Sequence, residues 1–255
     1  MSAPQRMYRG SAVAHGNTIY VIRHGSPKVH SYRLDTYVWN YGVLKPCPHT
    51  KPGLIIINDL LTAVGGKERD RRTNKLVSWK QCQWVEEFPP MRTPRKEPAL
   101  ISSSAYIVAL GGDRERKEVE VFHIPTQHWL TVTRLPIRLK NITATLCHDD
   151  IIAVGRLGSA YKISMDALIS KLSQWTELNG CQRWSTLTTF HGIHELREGE
   201  WVRIGNMSVP KALPIVCVAG NQMVVVGGCD RLLPTDLGGL DLNTSTNTVR
   251  VATIG

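Results

Sequence analysis

At 255 residues, 42% hydrophobic and 20% charged, the chain can form one large domain or two ordinary ones around a substantial core. Its net charge of +10 favours acidic partners (peptide, phosphate, nucleic acid or anionic membrane) without choosing among them. No apolar run approaches the ~20 residues of a spanning helix, MSAPQRMYRG lacks a signal-peptide core, and the cysteines form no CxxC pair, so a cytoplasmic setting with free buried thiols is expected.

From the N-terminus, GSAVAHG, TIYVIRHG, VHSYRL and YVWN read as four short strands rich in Val, Ile and Tyr and divided by turn residues. LLTAVGGKERDRRTNK follows from Leu60. Its GGK is no phosphate loop, because that motif needs a second spaced Gly and a hydroxyl after the Lys. Here Glu68, Arg69 and Asp70 follow Lys67.

The pattern then recurs. Apolar runs ending in glycine appear as YIVALGG at Tyr106, DIIAVGR at Asp150 and QMVVVGG at Gln222. Trp39, Trp84, Trp129, Trp175 and Trp201 keep a second beat, spaced 45, 45, 46 and 26 residues. Gly65, Gly111, Gly155 and Gly227 are spaced 46, 44 and 72. Both series fall about twenty residues short between Trp175 and Trp201, which places one deletion there. MDALISKLSQW from Met165 has helical character, but the repeat assigns strand, connection and strand to it.

A period near 45 residues with four short strands per unit predicts an all-β fold, a β-propeller of four-stranded blades. Six units follow, about 8–43, 44–87, 88–132, 133–177, 178–203 and 204–255, the fifth truncated to a hairpin of Leu187–Ile193 with Glu200–Ile204. The double Gly ends a strand at a corner where a Cβ would not fit, and the spaced Trp wedge between blades.

The apolar run into Gly-Gly, the aromatic in the third segment and the spaced Trp resemble the kelch repeat, from about Tyr8 to Gly255. The resemblance implies a kelch-type propeller. It also implies the protein-binding roles of that family, among them BTB–kelch adaptors that select substrates for ubiquitin ligation and take acidic motifs on one rim. No BTB-like helical region is read before the repeats.

No catalytic set stands out. The Ser of GRLGSAY and RHGSPK lacks a strand-to-helix elbow, and His191 with His194, or His148 with Asp149 and Asp150, supply too few converging ligands for zinc. A non-catalytic scaffold with no cofactor and no metal is expected.

Charge is more informative. Loops between second and third strands, together with connections between units, share one rim of a propeller. About 23–28, 67–75, 113–118, 155–160 and 229–236 are the loops; about 44–52, 88–97, 133–140, 178–184 and 204–212 are the connections. These segments hold 22 of the 31 Lys and Arg but eight of the 21 Asp and Glu. The expected partner is an acidic protein segment gripped by Arg69, Arg71, Arg72, Arg95, Arg114 and Arg116 as carboxylate forks. Phosphorylated ligands or nucleic acid are the alternative, nucleic acid being disfavoured by the scarcity of rim aromatics for stacking. A propeller enzyme is the third reading.

Overall fold

Burial on both faces explains the near-continuous apolar strands. In YIVAL, Ile107 and Ala109 pack with Phe122, Phe88 and Ile55, while Val108 and Leu110 pack with Val119, Val121 and Ile151. Alternate side chains leave opposite faces of a strand, so a sheet sandwiched between two others needs apolar residues at every position.

The computed structural model describes residues 10–23, 25–42, 44–112, 117–135, 142–147, 149–154, 160–170, 176–177, 190–197, 200–211, 215–219, 222–226 and 249–253. Two compact units are present, Met1–Pro46 with Trp184–Gly255, and Cys47–Arg183.

In the first unit, β1 (Gly10–His15), β2 (Thr18–Arg23), β3 (Val29–Arg33) and β4 (Trp39–Asn40) form an antiparallel meander. Ile19, Val21, Tyr32 and Trp39 make its buried cluster, with the Tyr32 and Trp39 rings 5.1 Å apart.

The second unit holds three meanders. One is β5 (Gly53–Ile57), β6 (Leu60–Val64), β9 (Leu76–Lys80) and β10 (Gln83–Phe88), with a separate ribbon of β7 (Lys67–Glu68) and β8 (Arg71–Arg72) between β6 and β9. The next is β11 (Ala99–Ser102), β12 (Tyr106–Leu110), β13 (Glu118–His123) and β14 (His128–Arg134). The third is β15 (Thr143–Cys147), β16 (Asp150–Val154), β17 (Ala160–Ser164) and β18 (Thr176–Glu177). The first strands of these sheets are neighbours, β5 beside β11 and β11 beside β15.

Helix α1 (Met165–Ser170) interrupts the last meander, filling the stretch that the repeat assigns to extended chain. Ser164 explains it: its hydroxyl accepts the Ala167 N–H at 3.2 Å, capping the helix, and Met165 and Leu168 enter the core.

The first unit continues with the hairpin β19 (Phe190–Arg197) and β20 (Glu200–Lys211), then a three-stranded sheet of β21 (Ile215–Ala219), β22 (Gln222–Val226) and β23 (Val249–Thr253). Strand β21 lies beside β1. The hairpin closes at Arg197↔Glu200 and runs to Phe190↔Lys211. It therefore uses HELR and EWVRI in its two arms, and 204–212, expected as a connection, is strand as far as Lys211.

The double glycines do what their position requires. Gly65 and Gly66 have φ of +62° and +100°, and a Cβ on them would stand 2.4 Å from the Arg95 carbonyl oxygen and 2.7 Å from that of Thr50. Backbone on two sides leaves nothing able to move away. Gly66→Ala should therefore cost about 2 kcal/mol or more, since left-handed geometry alone costs an L-residue ~1–2 kcal/mol. Gly16→Ala, at φ +54° with open space around it, should cost no more than the conformational part. Urea midpoints of the two variants check this; equal losses would remove the packing role.

The tryptophans divide. Trp129 is buried, stacks 5.1 Å from Phe122 and donates its indole N–H to the Pro89 carbonyl at 2.8 Å, tying one sheet to the connection from the sheet before. Trp84 is only partly buried and makes an edge contact with Trp79, 5.5 Å away across its own sheet, so Phe88, 6.0 Å from Phe122, fills the inter-sheet gap instead. Trp175 lies outside the described residues.

Candidate functional site: a basic rim

Three segments of the second unit knit into one surface. Thr50 and Lys67 exchange backbone hydrogen bonds of 2.9 and 2.7 Å. Gly66 N–H donates to the Arg95 carbonyl at 2.8 Å, Arg95 N–H to Thr73 at 3.2 Å, and Glu97 N–H to Lys51 at 2.9 Å. The Asn74 side-chain amide donates to the Met91 carbonyl at 2.6 Å. The loop after β6 and the connections on either side of this sheet thus share a rim, as the strand order requires.

The ribbon projects from that base. Lys67 pairs with Arg72 and Glu68 with Arg71, and the turn residues Arg69 and Asp70 have φ of +46° and +65°. Two successive left-handed residues are the type I′ geometry whose twist suits a two-residue hairpin.

Much of the rim's positive charge is already matched. Lys51 pairs with Glu97 at 3.5 Å, Lys67 with Asp70 at 3.1 Å, and Lys75 with Glu68 at 3.4 Å and Glu86 at 2.8 Å. Arg69 and Arg71 are exposed on the ribbon and Arg72 is half-buried. Arg92, outside the six expected forks, is also exposed and sits in the connection bound to Asn74 through Met91.

Arg95 has a different role from the one expected. It is 0% exposed, donates to the carbonyls of Gly111 and Glu118 at 3.0 Å each, and forms an ion pair with Glu120, itself 0% exposed. The Glu120 carboxylate also accepts the N–H groups of Arg92 at 2.7 Å and Thr93 at 3.2 Å. A guanidinium so enclosed cannot reach a ligand; it locks the connection onto β13. Arg114 and Arg116 lie outside the described residues.

In the connection that leads to Thr50, Cys47 and His49 are both buried. Burial pushes the Cys47 thiol up to about 12, which makes it a poor nucleophile and metal ligand. Cys82, by contrast with the expected buried thiols, is exposed in the β9–β10 turn. Burial also lowers the His49 pKa from its ordinary value, and that of His30 in the first unit, where Lys28 and Arg23 add to the effect. Among the described residues, no three His, Cys, Asp or Glu side chains group as a metal site, and no helix is long and apolar enough to cross a membrane.

No family model matches the chain. Curated relatives do. The vaccinia virus (strain Copenhagen) Kelch repeat and BTB domain-containing protein 1 is 23% identical over 211 residues, 80% of this chain and 33% of that protein. The cowpox virus protein of the same name is likewise 23% identical over 211 residues. The Kelch-like protein terF of Aspergillus terreus is 22% identical over 160 residues, 58% of this chain and 35% of that one. The chain spans about a third of the length of these relatives. The solved structure of YjhT superimposes with a TM-score of 0.74 at 11% identity, covering 99% of this chain and 96% of that one, a likeness of fold. The resemblance to kelch-repeat proteins thus extends over most of the sequence.

Proposed function

We propose that this kelch-repeat relative is a non-catalytic interaction scaffold whose basic rim binds an acidic segment of a partner protein. The observation that carries the reading is the ribbon itself. Exposed guanidinium groups at Arg69 and Arg71 stand on a hydrogen-bonded hairpin, with Arg92 exposed in an adjoining rim segment, while neighbouring lysines are neutralised by local acids. Forks held on a rigid mount lose little freedom on pairing with carboxylates. Arg72 contributes from the ribbon's flank, and Arg114 and Arg116 extend the site by sequence. Kelch–BTB relatives support an adaptor role, with substrate selection for ubiquitin ligation as its specific form.

The same reading takes the chain as six propeller units with the fifth reduced to two strands. The β19–β20 pairing, which in chain order follows a four-stranded sheet and precedes a three-stranded one, supports it. An experimental structure with four regular strands between 178 and 203 would overturn it.

Fluorescence titration with Glu/Asp-rich peptides, phosphopeptides and duplex DNA tests the function. Expected is saturable peptide binding with a modest salt slope. A steep slope on DNA, about 0.9 per phosphate neutralised, with no peptide binding, would transfer the rim to nucleic acid.

A further inference from the structure

His49 lies at the root of the ribbon. The ring is 1% exposed, hydrogen-bonds the Gly65 carbonyl, and its Nδ1 has no hydrogen-bond partner among the described residues. One residue beyond the Gly65–Gly66 corner, the ribbon is pinned by the Thr50–Lys67 bridge, and Thr50 is the next residue after His49. The ring is thus bonded to the glycine corner, and the residue after it carries the bridge that fixes the ribbon.

We infer that His49 is an acid-sensitive latch, holding the ribbon closed while neutral and releasing it when protonated. A neutral ring donating from Nε2 leaves Nδ1 as a lone-pair acceptor, which tolerates the lack of a partner better than an N–H does. Protonation places a cation and an unmatched N–H in that enclosed space, a far costlier burial. The charged groups facing the ring are Glu68 from the ribbon, Lys75 before β9 and Glu86 on β10. Glu68 and Glu86 favour the charged ring and Lys75, paired with both, opposes it, but burial is the largest influence and keeps the ring neutral. The charged ring reaches water only if the corner and ribbon lift.

The direction follows from linkage. A histidine kept neutral in the closed state contributes its full stabilisation above its ordinary value of 6.5 and loses it as pH falls below that. If only the lifted ribbon admits the proton, its opening constant rises about tenfold between pH 7.5 and pH 5.5. The latch rests on the acidic-segment reading only for its consequence, since a lifted ribbon no longer presents Arg69 and Arg71 together.

Hydrogen-exchange mass spectrometry on the full chain, with rates corrected for intrinsic pH dependence, reads the latch without any ligand. Expected is about tenfold less protection of the peptide spanning Lys67–Arg72 at pH 5.5 than at pH 7.5, with β12 unchanged, and no such response in His49→Gln. A wild-type ribbon indifferent to pH, or the same response in His49→Gln, overturns the inference. Should His49→Gln fail to fold, an NMR titration of the wild-type imidazole decides. A value below the ordinary one, with the ribbon amides shifting at the same midpoint, supports the latch; an ordinary value or uncoupled amides overturns it. Peptide titration at pH 7.5 judges the acidic-segment reading separately: ribbon exchange can respond to pH whether or not any peptide binds.

Discussion

Replacing Arg95 by Met should destabilise the chain by about 3–5 kcal/mol, the cost of leaving one member of a fully buried ion pair without the other. Glu120 would keep its charge and the N–H groups of Arg92 and Thr93, but lose the guanidinium that balances it inside the protein. The carbonyls of Gly111 and Glu118 would lose a donor as well. Buried pairs elsewhere have been exchanged for apolar side chains with little loss, because nothing else depended on them. Here five backbone groups do, counting Ala109, whose carbonyl lies 3.4 Å from the guanidinium. The double variant Arg95→Met/Glu120→Leu should therefore stay well below wild type, while less damaged than the two single losses summed. Urea unfolding of all four proteins closes the cycle, and the melting temperature of Arg95→Met should drop by on the order of 10 °C. A single-variant loss under about 1 kcal/mol would mean that water replaces the pair, and the lock between connection and sheet would be discounted.

That pair also marks where the sequence stops being readable. Repetition is a local property, so glycine pairs, apolar runs and aromatic beats announce the sheets directly; Gly65, Gly66 and Trp129 sit where their spacing puts them. Spacing carries no information on depth. Trp84 keeps the beat yet rests beside Trp79, because Phe88 occupies the gap between sheets. Arg95 stands in PPMRTPRKE, a polar connection that reads as surface, and its partner lies 25 residues on in β13. The retrievable signal was Glu120: a carboxylate inside VEVF, where every neighbour is buried, demands a buried cation. Counting charges by rim could not show which lysines are neutralised nearby. The ribbon was hidden for another reason, since Arg69 at a left-handed turn position is not a residue that announces a turn.

These distinctions sharpen the decisive functional experiment. A reversal set that included Arg95 would lose binding by unfolding, and the result would say nothing about recognition. Arg69→Glu/Arg71→Glu instead changes two exposed side chains whose fold contribution is about 0–1 kcal/mol each. Should an acidic segment bury these guanidinium groups, each lost pair costs about 2–5 kcal/mol of binding. The double reversal should then raise Kd for a Glu/Asp-rich peptide by at least about a hundredfold, roughly 2.7 kcal/mol. Its urea midpoint should stay within error of wild type. Lys80→Glu/Lys162→Glu removes the same net charge from residues outside the ribbon, one beside the β9–β10 turn and one on β17, both in surface pairs. That set should raise Kd less than about threefold, in keeping with screened long-range attraction. If the two sets weaken binding alike, the peptide responds to overall charge and the ribbon is not a site. If neither does, the acidic ligand binds elsewhere, and Arg69 and Arg71 lose their assigned role.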